Sequence, residues 1–221
     1  MKATSIHKNT VLISYPRTFG IKNLFASKVT HILSSLEEYE IISVDDYRGF
    51  IDSGFKEKIL KKIDSRQLHS RDIRKLISES TYVILFWDGV ELVDYVYYTL
   101  LLRKVHRIIP IETTKVVNKD KGAKYDVYIG RGTPWGNPFA IGDEGNDREA
   151  VILKFREYFE KNILSNTERR RDLLSLRGKR LGCHCKPLAC HGDIIAEYLN
   201  TLDDEGEDFH NTVHQPASFI E

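Results

Sequence analysis

The sequence predicts an α/β protein: an incomplete Rossmann-like parallel sheet followed by a second, small α/β unit. Three observations predict it. Short, largely apolar runs recur (VLIS, IISV, YVILFW, RIIPI), each of strand length, as strands covered on both faces are. Between them, apolar residues fall at helical spacing. The same alternation then resumes beyond a polar, lysine-rich stretch near residue 120, so a second unit starts there.

In chain order, VLISYP at 11–16 is a buried strand stopped by Pro16. Leu24, Phe25, Val29, Ile32, Leu33 and Leu36 share one helix face, and IISV at 41–44 is the second strand. Phe55, Ile59, Leu60 and Ile63 predict another helix. Ser70 is placed to cap RDIRKLIS, with Ile73, Leu76 and Ile77 on one face. YVILFW at 82–87 is the strongest strand pattern and closes on Asp88-Gly89. A helix through Val93, Val96, Tyr97, Leu100 and Leu101 precedes the strand RIIPI. These elements make residues 1–114 a Rossmann-like unit able to bind a nucleotide, and residues 115–124 read as a linker or hairpin.

The second unit, 125–200, opens with the strand YDVYIG and the loop RGTPWGNPFAIGDEGND. A helix from Arg148 to Ile163 carries Ile152, Phe155, Phe159 and Ile163 on one face. Thr167 can cap a short helix through Leu173 and Leu174. KRLGCHC is a strand, KPLAC a loop, and GDIIAEYLN the last helix. Residues 201–221 hold 6 acidic residues and no Lys or Arg, which reads as a loose acidic tail.

Composition narrows the function classes. A hydrophobic fraction of 41% with 29% charged residues is ordinary for a soluble globular protein. No apolar run approaches the roughly 20 residues that span a bilayer, and MKATSIHKNT lacks a signal-peptide core, so a cytoplasmic location is expected. The 3 cysteines cluster within 183–190, which is no secreted disulfide framework. Residues 1–124 carry 21 Lys+Arg against 15 Asp+Glu. That excess suits a small phosphate-bearing ligand and is too weak to favour duplex nucleic acid. Neither G-x-G-x-x-G nor G-K-[ST] is present, which excludes a dinucleotide fingerprint and a P-loop.

Two segments could carry chemistry. In the loop from Arg131 to Pro138, Gly132 and Gly136 let the backbone approach a ligand. There Arg131 suits phosphate, Trp135 can stack on a base or sugar, and Asn137 can hydrogen-bond. The same residues could equally make a rigid loop whose Trp plugs the core. In LGCHCKPLACHGD three readings stay open. Cys183, Cys185, Cys190 and His191 form a Cys3His set that zinc could take. Against this, Cys183 and Cys185 on a continuing strand would point to opposite faces. Alternatively, Cys190 and His191 precede a helix opened by Gly192-Asp193, whose N-terminus lowers a thiol's pKa and attracts phosphate. Or the cysteines are small core residues and Asp193 merely caps the helix. In the first unit, Asp88, Tyr15 and Arg17 follow strands, at the edge where doubly wound sheets bind ligands.

The segments YIGRGTPWGNPFAIG and LRGKRLGCHCKPLACHGDIIAEYL closely resemble the domain-of-unknown-function family 4326 of phages and bacteria, over residues 125–200. The resemblance carries Arg131, Gly132, Trp135, Gly136, Asn137 and Pro138, then Cys183, Cys185, Pro187, Cys190, His191, Gly192 and Asp193. His184 stands where relatives often have Trp, which makes it an unlikely ligand. The same ending also looks like another uncharacterised bacterial family with an acidic residue at the position of Cys185. RDIRKLISESTYVILFWDG is similar to the nucleotide-binding folds of lysine-decarboxylase-like and nucleoside deoxyribosyltransferase-like proteins. These resemblances imply a bacterial cell or phage-infected host and a nucleotide-like ligand.

The expected function is an enzyme acting on a nucleotide, nucleoside or phosphorylated sugar, by N-glycosidic cleavage or transfer. Arg131 would hold phosphate, Trp135 would stack, Cys190 and His191 would flank the reacting group, and Asp88 would face them across a cleft. The rivals are a non-catalytic module that sequesters a nucleotide or a nucleic-acid end, and a zinc-stapled protein-interaction domain.

Overall fold

The computed structural model describes residues 8–202 of the chain. The first sheet has five strands, β1 (Asn9–Ser14), β2 (Tyr39–Val44), β3 (Ile59–Ile63), β4 (Tyr82–Trp87) and β5 (Val105–Pro110). They run in the order β3-β2-β1-β4-β5 with every neighbouring pair parallel. Helices cover both faces, as the continuous apolar runs require. Val11, Ile13, Ile84 and Phe86 face a core built with α1 (Lys22–Leu33) and α2 (Phe50–Phe55). Leu12, Val83 and Leu85 face the opposite core, built with α3 (Ser70–Glu79) and α4 (Val93–Leu101). Successive residues of one strand thus feed two cores, as the two-residue period of a strand dictates.

The second sheet is smaller, with β6 (Lys115–Asn118), β7 (Val127–Tyr128) and β8 (Arg180–Cys183) in the order β6-β8-β7, again parallel. Its core gathers α5 (Arg148–Tyr158), a π-helical continuation Phe159–Leu164, α6 (Thr167–Leu174) and α7 (His191–Thr201). The α/β class and the incomplete Rossmann-like sheet beside a small second unit are therefore present as expected.

Several local expectations are corrected. The residues read as a helix at 55–63 end α2 and form the edge strand β3. Phe55, Ile59 and Ile63 are four apart, a spacing that keeps one face in a helix and in a strand alike. The stretch 115–124 is not a bare linker: Lys115–Asn118 is β6, registered against β8 with Asn118 opposite Cys183. His69, not Ser70, caps α3, with its N–H donating to Asp72 at 3.0 Å, and Asn166, not Thr167, caps α6. On α4 the buried face is Tyr95, Val96 and Thr99, while Val93, Tyr97, Leu100 and Leu101 are exposed. α7 runs through Thr201, and the acidic tail from 203 lies outside the described residues.

Several contacts join the units: Gly20 N–H donates to the Asn200 carbonyl at 3.1 Å, and Arg48 lies 3.9 Å from Glu197. The Asn200 side chain brackets Thr114, accepting from its N–H at 2.7 Å and donating to its carbonyl at 2.9 Å, all buried. Lys115 Nζ lies 2.7 Å from a carboxylate oxygen of Asp88, whose side chain is fully buried.

Candidate functional site

β7 and β8 end side by side, and each hands over to one of the two sequence motifs. After β7, the Tyr128 ring lies over Gly130, so a Cβ there would require that ring to move. The chain then turns through Arg131–Gly136, held by the Thr133 hydroxyl donating to the Gly130 carbonyl at 2.8 Å and by Gly136 N–H donating to the Thr133 carbonyl at 3.1 Å. A Cβ on Gly136 would meet the Gly130 carbonyl oxygen at 2.6 Å, so only glycine closes this turn. Asn137 locks the exit: its amide donates to the Val151 carbonyl at 3.2 Å and its oxygen accepts from Phe139 N–H at 3.0 Å.

After β8 the strand stops at Cys183 and the chain bends at His184, which carries Cys185 off the strand line; a turn closed by Leu188 N–H on the Cys185 carbonyl at 3.0 Å then leads towards Cys190. Cys190 caps α7: its N–H donates to Asp193 at 3.0 Å, and its Sγ accepts from Gly192 N–H at 3.2 Å. The three sulfurs consequently lie within 4.8 Å of one another. His191 is buried beside them, with Nδ1 3.8 Å from Cys190 Sγ and Nε2 2.9 Å from the Ile129 carbonyl oxygen.

Both motifs line one pocket of about 360 Å³. Its floor is Cys183, Cys185, Cys190 and His191; Arg131 and Arg148 stand at its sides; Phe139, Ile141, Val151 and Ile152 form an apolar wall. Tyr128 and His184 complete the rim. Arg131 is exposed and makes no hydrogen bond or ion pair among the described residues. Arg148 donates to the Ala189 carbonyl at 3.2 Å, and it lines the pocket together with Cys185.

The sulfurs divide the charge unequally. A hydrogen bond from Cys190, opposed by burial and helped by the Cys185 N–H and by His191, brings the Cys183 thiol down to about 5. The hydrogen bond to Cys183 and burial push the Cys190 thiol up, and burial followed by the negative charge of Cys183 raises Cys185.

Other expected site residues fall elsewhere. Asp88 does not face Cys190 and His191. Its carboxylate accepts from Val90 and Glu91 N–H at 3.0 and 2.9 Å, and it pairs with Lys115 between the units. Trp135 packs half-buried on the second core, as the plug of its loop. Gly132 forms the turn with φ +84°, lining an adjoining cleft. Asp193 caps α7 and pairs with Lys186 at 2.5 Å. Tyr15 is fully buried, its hydroxyl donating to Asp46 at 2.5 Å. Arg17 lies over the Tyr47 ring and lines a separate cleft of about 660 Å³ between the units, which Asp193 also lines.

The structure adds residues that sequence reasoning missed. Asp120 lies 2.6 Å from His184 Nδ1, and His184 Nε2 lies 3.0 Å from the Tyr128 hydroxyl, a carboxylate–imidazole–phenol chain ending at the pocket rim. The hydrogen bond with His184 lowers the pKa of Asp120. Arg148 was also missed; its one signal is a cation directly after the helix-capping Asp147.

Comparison with known proteins agrees with this division. Residues 113–201 match the Domain of unknown function (DUF4326), and residues 8–117 match the Minimal SLOG domain, a Rossmann-like fold. The first match begins at 113, so it includes β6. An enterobacteria phage T4 protein, the "uncharacterized 12.4 kDa protein in nrdA-td intergenic region", is 49% identical over 88 residues, which is 40% of this chain and 79% of that protein.

Proposed function

We propose, for a chain that belongs to the DUF4326 family and joins a minimal SLOG domain to it, that the pocket between its two motifs binds and processes a nucleotide, nucleoside or phosphorylated sugar. One observation carries the reading: the Arg131 loop and the Cys183–His191 segment, far apart in sequence, line a single pocket whose exposed Arg131 has no protein partner among the described residues. SLOG domains typically bind nucleotide-like ligands; that match covers the first unit, so it supports the ligand class through the neighbouring domain and not through the pocket's own lining.

In this reading Arg131 and Arg148 hold the anionic group, since a guanidinium fork matches phosphate oxygens. The apolar wall takes the face of a sugar or base. The sulfur cluster and His191 face the reacting carbon. N-glycosidic cleavage is the reaction to test first: water supplies the oxygen that replaces nitrogen on the anomeric carbon, and its proton leaves with the base. Trp135 contributes by holding the loop, not by stacking on the ligand. No helix among the described residues is long and apolar enough to cross a membrane.

The test pairs calorimetric titration with chromatography over a panel of nucleosides and nucleoside phosphates. Arg131→Ala should weaken binding at least tenfold, about 1.4 kcal/mol, since a charged hydrogen bond is lost. Its melting temperature should not move, since Arg131 supports no other described group. Unchanged affinity removes the role of Arg131 and the reading with it. Tight binding without released base would leave the sequestering module as the function.

A further inference from the structure

We infer that Cys183, Cys185 and Cys190 form a three-thiolate site for a divalent transition metal, zinc by its ligand chemistry, with a fourth coordination position that opens into the Arg131–Arg148 pocket. The open position rests on the pocket being a ligand site; the metal itself does not.

The geometry meets the needs of such a site. Tetrahedral zinc with Zn–S of about 2.3 Å sets its sulfurs about 3.8 Å apart. The three sulfurs already lie within 4.8 Å of one another, so closing on an ion needs side-chain movements of about 1 Å. The spacing Cys183-x-Cys185 opposes a metal only if the strand continues through it. Here β8 ends at Cys183 and the chain bends at His184, so the Cys185 sulfur lies on the same side as the other two. Cys190 is fixed from the other direction by the first turn of α7, and the Gly192 N–H already points at its sulfur, as the outer partners of metal-bound thiolates do.

His191 is the residue that decides between a closed staple and an open site. Its Nε2 is held by the Ile129 carbonyl, and it stands outside the group of donors that lie within 4.8 Å of one another. The described residues thus give three protein ligands, the number that leaves zinc one exchangeable position. All three sulfurs line the pocket, so that position faces the ligand space. Three thiolates and a divalent ion carry one net negative charge, and the Arg148 guanidinium lines the same pocket.

The experiment uses the full chain, purified without a polyhistidine tag and under reducing conditions. Elemental mass spectrometry should find one zinc per chain. Exchange for cobalt(II) should give thiolate-to-cobalt charge transfer in the near ultraviolet and the intense visible bands of a tetrahedral ion. Cys185→Ser, the change at the least buried of the three, should lose the metal, whereas His191→Ala should keep it. Azide added to the cobalt form should shift the visible bands, as an open position requires. A chain that takes up no metal and titrates three free thiols overturns the site, as does full metal retention in Cys185→Ser. Metal loss in folded His191→Ala, or bands indifferent to azide, overturns the open position. These outcomes are independent of the Arg131→Ala titration, so the metal site and the nucleotide reading can fail separately.

Discussion

At the residue scale, the site depends on atoms that are missing as much as on those present. Gly136 shows this best. The contacts a Cβ would make there are with backbone, the Gly130 oxygen at 2.6 Å and Arg131 Cα at 3.0 Å, so no side chain can swing away to relieve them. Gly136→Ala should cost about 1–3 kcal/mol of stability, as overpacking does. It should also weaken ligand binding as much as Arg131→Ala, because the strain is relieved by moving Arg131. Urea unfolding beside calorimetry checks both; binding that survives intact would mean the turn does not position the arginine. Residue types were readable here in advance: a glycine-rich loop with Arg131, and three cysteines with His191, point to the two walls of the pocket from sequence alone. The Asp120–His184–Tyr128 chain was not, because its members come from three segments that only the parallel pairing of β6, β7 and β8 aligns. Asp88 was misread because an acid after a strong strand has the same local pattern whether it meets a ligand or a lysine 27 residues on.

At the element scale, α7 links the sulfur cluster to the fold. Its first turn is closed by Cys190 N–H on Asp193, and Asp193 also holds Lys186 at 2.5 Å, so one carboxylate ties both ends of the loop that carries Cys185. Asp193→Ala should lower stability by about 1 kcal/mol, the usual worth of a capping group. It should also raise the rate at which the pocket thiols react with a disulfide reagent in the metal-free chain, since the loop is released. Unchanged thiol reactivity would show that β8 and the Cys185 turn suffice to hold the cluster. Strands with two covered faces and helices with a clear stripe were legible at this scale, which is why β1, β2, β4 and β5 match their apolar runs. β6 was hidden because four residues among lysines have no pattern of their own; it exists through a partner strand about 65 residues later. The exposed apolar side of α4 was hidden because helical periodicity names a stripe, while packing against α3 and β4 decides how much of it is covered.

At the scale of the whole molecule, the two units are joined by groups that lie close together in sequence on one side only. Thr114 and Lys115 sit where the first unit passes into β6 of the second, whereas Asn200 comes from the end of α7 and Asp88 from the end of β4. The Asp88–Lys115 pair offers a pH test of that junction. Burial alone would raise the Asp88 carboxyl, but the hydrogen bond from Lys115 and those from the Glu91 and Val90 N–H groups outweigh it and hold the carboxyl below the usual carboxylate range. A depressed acid pKa means the unfolded chain binds the proton more readily, so its contribution is fully present above the unfolded value of about 4. That contribution is lost as the pH falls through the folded value. Asp88→Asn keeps an acceptor for the two N–H groups and removes the charge. It should therefore cost about 2 kcal/mol at neutral pH, the loss of a charged hydrogen bond with a partly buried lysine left over. Urea unfolding of both proteins from pH 7 down to pH 2 should show that gap hold to about pH 4 and then close. A gap that stays constant to pH 2 would assign the loss to packing rather than charge. No gap at pH 7 would leave the junction to its other contacts, the bracketing of Thr114 by Asn200 among them.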